Sequence, residues 1–156
     1  MTQNIQQVDA RDEAEIRAVI LGYVDVLDNR DFDRIAEAFT DTAQLETSFE
    51  SYIPGAEAFT GVLPIQGGKG IAAGVGGRMS VLDATQHFLG AMWFEPTAEG
   101  VRARTQVIAH HHRGGSFYHT GGTYIDSFVR TGDGWRIERR LLHTSWTTGD
   151  PKVITD

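Results

Sequence analysis

Residues Ala84–Arg113 read ATQHFLGAMWFEPTAEGVRARTQVIAHHHR, and their pattern decides the fold. Two runs rich in aromatic and β-branched side chains flank Pro96–Gly100, a turn segment. The spacing predicts antiparallel strands over Thr85–Phe94 and Val101–Arg113. Side chains alternate across a strand. Val101, Ala103, Thr105, Val107, Ala109 and His111 therefore share one face, and Arg102, Arg104, Gln106, Ile108, His110 and His112 the other. The apolar set is the inward one, which turns His111 in and its two neighbours out. In the preceding strand His87 shares a face with Thr85, Leu89, Ala91 and Trp93. An imidazole in such company needs a hydrogen-bond partner or stays neutral. A core histidine satisfied by one bond is the plain alternative to a functional one.

Toward the C-terminus, His119–Arg130 and Trp135–Trp146 read as two more strands. Thr131–Gly134, TGDG, joins them, with Asp133-Gly134 as the hairpin signal. Alternation groups Arg140 with Leu142, Thr144 and Trp146, and Tyr124 with Gly122, Asp126 and Phe128.

Toward the N-terminus the period becomes helical from Arg11: Ile16, Val19, Ile20, Tyr23, Val24 and Leu27 form a stripe. Asp28 ends that stripe, a poor place for a carboxylate without a partner. Asn29-Arg30 breaks the pattern, and Asp31 is placed to cap a short helix, FDRIAEAF, with Ile35, Ala38 and Phe39 inward. Asp41–Phe49 reads as a strand. Gly55–Gly77 is glycine-rich and leads into a weak helix through Ile71, Val75 and Met79, a segment expected to lie over a cavity mouth. Its GGKG does not make a phosphate loop, because Gly70 rather than Ser or Thr follows Lys69. Helices first and strands later predict an α+β fold, with N-terminal helices packed on a curved mixed or antiparallel sheet that encloses a pocket. The expected organisation is a flexible N-terminus over 1–10, one domain over 11–147 and a C-terminal tail over 148–156.

The 156 residues suit one domain, and 40% apolar against 22% charged residues is a globular balance. A net charge of −7 argues against nucleic acid and anionic membrane surfaces as partners. With no cysteine there is no disulfide framework, zinc-thiolate site or cysteine nucleophile. The polar, acidic first residues carry no signal-peptide core, and no run approaches the ~18 apolar residues of a membrane span. The expected location is cytoplasmic.

A pocket between helix and sheet can hold Asp28, His87 and His111, with Tyr23 from the helix and Arg140 from the sheet. Proton transfer fits this set. His87 would be the general base, and Asp28 would orient it and stabilise the imidazolium. His111 or Tyr23 would protonate or hold a leaving oxygen, and Arg140 would anchor a carbonyl or a departing anion. Two other readings stand beside this one. In the first, a non-catalytic domain binds a small molecule and His87 is only a buried polar group. In the second, His110 and His112 chelate a metal. A solvated or interface histidine cluster is preferred over the metal site, so no metal is expected.

Several segments together resemble the SnoaL-like, scytalone dehydratase-like superfamily: LDNRDFDRI (Leu27–Ile35), TQHFLG (Thr85–Gly90), HHHR (His110–Arg113), GGTYIDSF (Gly121–Phe128) and GDGWRIERR (Gly132–Arg140). The likeness spans about Glu13 to Trp146. It implies the cone-shaped α+β barrel shared with nuclear transport factor two. It also implies cofactor-independent elimination by a His–Asp pair, here His87 and Asp28. TQHFLG and the first segment are similar to scytalone dehydratase, whose second histidine matches His111, with a one-residue slip to His110 or His112 left open. GGTY with the late Arg140 is similar to hexachlorocyclohexane dehydrochlorinase. Tyr23 ahead of Asp28 is similar to the bile acid dehydratase of gut bacteria. Where scytalone dehydratase carries substrate-binding tyrosines and an asparagine, this chain has Leu27, Thr47 and Tyr124, which points away from scytalone itself. The implied function is a dehydratase-type lyase for a small cyclic, steroid-like or polyketide-like substrate. A polyketide cyclase or isomerase using the same dyad is the alternative. Thr47, Trp93, Tyr124 and Trp146 are the expected substrate contacts, no cofactor is implied, and the expected assembly is a homo-oligomer, trimer before dimer.

Overall fold

The computed structural model describes residues 7–62 and 66–155. Helix α1 spans Ala10–Asp28, and Asp9 caps it by accepting a hydrogen bond from the Arg11 amide at 2.9 Å. The segment expected to be flexible thus ends in an ordered cap, and its residues 1–6 lie outside the described residues. Ile16, Ile20, Tyr23, Val24 and Leu27 are buried, as a helical stripe requires. A 3-10 helix, Phe32–Ala38, follows. Asp31 stands at its N-cap, as expected, but its side chain makes no capping bond and lies 3.4 Å from Arg34 instead.

Six strands form one sheet. They are β1 (Phe39–Phe49), β2 (Gly61–Val62), β3 (Ala84–Pro96), β4 (Val101–Arg113), β5 (Ser116–Thr131) and β6 (Gly134–Gly149), in the order β2-β1-β6-β5-β4-β3. β1 runs parallel to β6 and every other pairing is antiparallel, so the sheet is mixed and open. Helix α2 (Ala56–Phe59) and helix α3 (Gly67–Ser80) lie in the connection between β1 and β3. α3 carries six glycines in 14 residues, a composition that disfavours a free helix. It persists because it packs: Ile71 and Met79 are buried, and Gly76 lies so near Phe32 that a Cβ would sit 3.1 Å from that side chain. The whole is the α+β cone of the nuclear transport factor two type.

Burial along β4 alternates without a break, with Val101, Ala103, Thr105, Val107, Ala109 and His111 all buried. Bulges invert the alternation elsewhere, among them one between Ser127 and Phe128 in the β5–β6 register. The β3–β4 register shifts between Leu89 and Met92, so Met92 and Phe94 turn inward and Trp93 turns out. The Trp93 ring is 44% exposed and stacks under the Arg104 guanidinium at 5.0 Å. The β5–β6 register shifts between Gly121 and Gly122, which takes Trp146 to the outer face, 42% exposed. Both tryptophans were expected at the pocket; one extra residue in each strand reverses the face.

β6 continues to Gly149, and a short helix, α4 (Lys152–Thr155), returns to the body of the protein and buries Val153. The polar tail expected from residue 148 is therefore folded over most of its length. Among the described residues no helix is long and apolar enough to cross a membrane.

Candidate active site

The C-terminal end of α1 brings Asp28 against the inner face of β3. Its Oδ1 accepts from His87 Nδ1 at 2.7 Å and from the Thr85 hydroxyl at 2.9 Å, and its Oδ2 accepts from the His87 amide at 2.8 Å. Burial pushes the Asp28 carboxyl up, but the hydrogen bonds from His87 and Thr85 outweigh it and hold it below its ordinary value. A carboxylate only accepts, so His87 carries a proton on Nδ1 and its Nε2 is left free of that bond. The His87 side chain is 5% exposed and lines a cavity of about 1000 Å³, open mouth included.

His111, inward on β4, faces His87 nearly at right angles, with ring centroids 6.2 Å apart. Its Nδ1 donates to the Tyr118 carbonyl at 2.9 Å. Burial pushes its pKa down to about 4, against the opposing effect of that bond. His111 is therefore neutral near pH 7, with no proton on Nε2. It can hold a leaving oxygen but has none to give, which removes the proton-donor half of its expected role.

A second polar cluster lies further along α1. Tyr23 precedes Asp28 by five residues, a helical rise of about 7.5 Å. Arg140 on β6 and Asp126 on β5 face each other in register and form a bidentate pair, Nε–Oδ1 and Nη2–Oδ2 both at 2.7 Å, with the two side chains 1% and 0% exposed. Burial works against the guanidinium charge, but the Asp126 carboxylate more than restores it. The guanidinium also lies over the rings of Tyr124 at 4.1 Å and Tyr23 at 4.4 Å. Burial raises both phenols, so each keeps its proton and can donate it in a hydrogen bond. Nη1 of Arg140 is buried without a partner. Arg140 is thus part of a neutralised pair whose Nη1 still carries two N–H donors.

Leu27, Leu45, Phe49, Val107 and Leu142 supply much of the apolar wall, with Val75, Arg78 and Met79 of α3 across it and Ile154 of α4 beside them. Thr47 lines the cavity too, although its hydroxyl donates to the Phe59 carbonyl, and Tyr124 lines it beside Arg140. Trp93 and Trp146 do not. Asp126 and Thr85 were missed as functional residues. Asp126 had a signal: it shares the face of Tyr124, and an inward carboxylate needs a cation. Thr85 had one as well, two residues before His87 on the same face.

On the outer face His112 and His119 approach at 3.4 Å between their Nε2 atoms, and the His110 ring lies 4.3 Å from that of His119. Among the described residues no group of three or more His, Cys, Asp or Glu side chains is placed to hold a metal ion.

The profile of the SnoaL-like domain matches residues 8–141. No curated protein matches the chain. Among solved structures, the chain is similar to a candidate scytalone dehydratase from Novosphingobium aromaticivorans, with 19% identity, TM-score 0.72, and coverage of 90% of this chain and 88% of that one. It is similar to LinA at 18% identity and TM-score 0.68, covering 90% of each chain. It is also similar to the β subunit of a candidate aromatic-ring-hydroxylating dioxygenase from Novosphingobium aromaticivorans, at 16% identity and TM-score 0.68, covering 91% of this chain and 94% of that one. Identities this low carry the fold alone.

Proposed function

The chain belongs to the SnoaL-like domain family, and on that basis we propose that it is a cofactor-independent lyase that removes water from a small cyclic, steroid-like or polyketide-like substrate. One observation carries the reading. A buried imidazole, held through Nδ1 by an ionised carboxylate, lines a mostly apolar cavity.

His87 Nε2 takes a proton from carbon beside a carbonyl. Asp28 stabilises the imidazolium, with Thr85 and the His87 amide keeping the carboxylate in place. The Tyr23 and Tyr124 hydroxyls and Arg140 Nη1 are among the cavity's donors that can face a developing enolate oxygen, and Arg78, Thr120 and Thr144 line the same cavity. The β-hydroxyl then departs with the proton that His87 Nε2 took from carbon, so that water is lost, the carbon–carbon double bond forms and the imidazole returns to its neutral form. The same dyad serves a cyclase or isomerase where the substrate has no leaving group. The outer sheet face, with its exposed aromatic residues, supports a homo-oligomer, and the resemblance to eliminating enzymes implies a trimer before a dimer.

The test is a screen of the purified protein against β-hydroxy ketones and related cyclic alcohols, read by mass spectrometry. Loss of water that vanishes in His87→Ala is the expected result. A product of unchanged mass points to isomerisation by the same dyad. Turnover that survives His87→Ala sinks the mechanism.

A further inference from the structure

We propose that the chain carries a second catalytic centre, a Ser48–His143–Glu50 relay on the outer face of the sheet, in which Ser48 is a nucleophile toward activated acyl donors such as aryl esters and thioesters. It is independent of the lyase reading, because none of these three side chains lines the cavity.

The relay follows from the parallel pairing of β1 with β6. Ser48 stands in register with His143, and Phe49 with Thr144. Thr47, Phe49, Leu142 and Thr144 line the cavity, so alternation sends Ser48 and His143 to the opposite face. β1 ends at Phe49, but the Glu50 amide still donates to the Thr144 carbonyl at 3.0 Å, which keeps Glu50 beside β6. One imidazole thus meets two side chains from the neighbouring segment. Its Nδ1 lies 3.0 Å from the Ser48 hydroxyl oxygen, and its Nε2 lies 3.2 Å from Glu50 Oε1.

The chemistry of the three groups gives these contacts a direction. A carboxylate only accepts, so the Glu50 contact is made by a proton on Nε2. In the neutral ring Nδ1 is then the acceptor, and the Ser48 hydroxyl donates to it. A serine is activated in this way: a base lies within reach of its hydroxyl, and the base's other nitrogen is held by a carboxylate. His143 and Glu50 are only partly buried, so substrate and water reach the relay. Ser48 on β1 and His143 on β6 lie three and two strands from β4, whose exposed Ile108 further copies of the chain are expected to cover.

The reaction is acyl transfer to water. Ser48 Oγ attacks the acyl carbon while His143 Nδ1 takes its proton. The bond to the leaving oxygen or sulfur breaks, that atom departs with the proton, and an acyl-serine remains. Water then attacks the acyl carbon and gives a proton to Nδ1, which returns it to Ser48 Oγ as the carboxylic acid leaves. Glu50 is a positioning residue that fixes the ring and stabilises its charged form. At this half-exposed edge water solvates the developing oxyanion, so the acyl donors that fit are those with good leaving groups.

The experiment uses the full chain at pH 8, with diisopropyl fluorophosphate and p-nitrophenyl acetate as probes. The fluorophosphate should add one diisopropylphosphoryl group with loss of fluoride, and peptide mapping should place it on Ser48. Wild type should hydrolyse p-nitrophenyl acetate at least about 10²-fold faster than Ser48→Ala, and His143→Gln should lose as much. Glu50→Gln should lower kcat with KM little changed, and Glu50→Asp should recover part of the loss. A chain of bonds that only ties β1 to β6 predicts lower melting temperatures in these variants, no adduct and no change in ester hydrolysis. That result overturns the proposal. So does an adduct on Tyr52 or any residue other than Ser48, or ester hydrolysis that survives Ser48→Ala. Should a variant fail to fold, the position of the adduct in the wild type decides.

Discussion

His87 takes its tautomer from Asp28, and that single relation sets what each mutation does. His87→Gln is expected to lower kcat by about 10²–10⁴-fold with the fold intact, because general-base removal costs that much. Asp28→Asn is expected to be comparably severe, since an amide can hold the wrong imidazole tautomer and brings no charge to stabilise the imidazolium. The double variant should be little worse than His87→Gln, because the two side chains act as a unit. Single-turnover kinetics on a substrate found by the screen measures all three. Acid should weaken the fold at both positions. Asp28 is held below its ordinary value, so its stabilisation is present above the usual carboxylate range and is lost as pH falls through its lowered value. His111 has the same sign: the unfolded chain takes up a proton near 6.5 and the folded one only near 4, so stability falls across that interval. The loss for His111 is on the order of 3 kcal/mol. Denaturant melts from pH 7 to pH 4 should be flatter in His111→Phe than in wild type.

The bulges in β3 and between β5 and β6 aim the site as much as any side chain does. Gly122 sits at the Gly121–Gly122 bulge and lines the cavity, and a Cβ there would lie 2.0 Å from the His143 carbonyl oxygen. Gly122→Ala must push two central strands apart. It is expected to cost more than about 2 kcal/mol, or at least about 5 °C in Tm, by differential scanning calorimetry. α3 provides the opposite case. Gly77 lies within that helix with open space where a Cβ would go, so Gly77→Ala should raise stability by about 0.5–1 kcal/mol. The α1 stripe and the β4 alternation were legible because each repeats its period over many residues. The bulges were not, because a shift of one residue leaves the composition of a strand unchanged.

The assembled protein presents Phe88, Trp93, Ile108, Phe117 and Trp146 on the outer face of the sheet, each between 40% and 54% exposed. Apolar exposure of that extent is expected to be covered by further copies of the chain. Light scattering at high concentration should give a trimer, or failing that a dimer, and Phe88→Glu with Ile108→Lys should give monomers. A wild-type monomer would remove this reading without touching the pocket, which lies on the other face.

Sequence alone determined the α+β class, the stripe of α1 that ends at Asp28, and the inward face of β4 that carries His111. These are local periodicities, and burial of one face enforces them wherever the chain is regular. The outward turn of Trp93 and Trp146 was decided by tertiary structure, because parity along a strand reverses at a single unpaired residue. The pairing of Arg140 with Asp126 was decided there as well, through the β5–β6 register. So was the tautomer of His111, which depends on a carbonyl seven residues away across a hairpin. Contacts of that kind are properties of register, and register exists only once strands have paired.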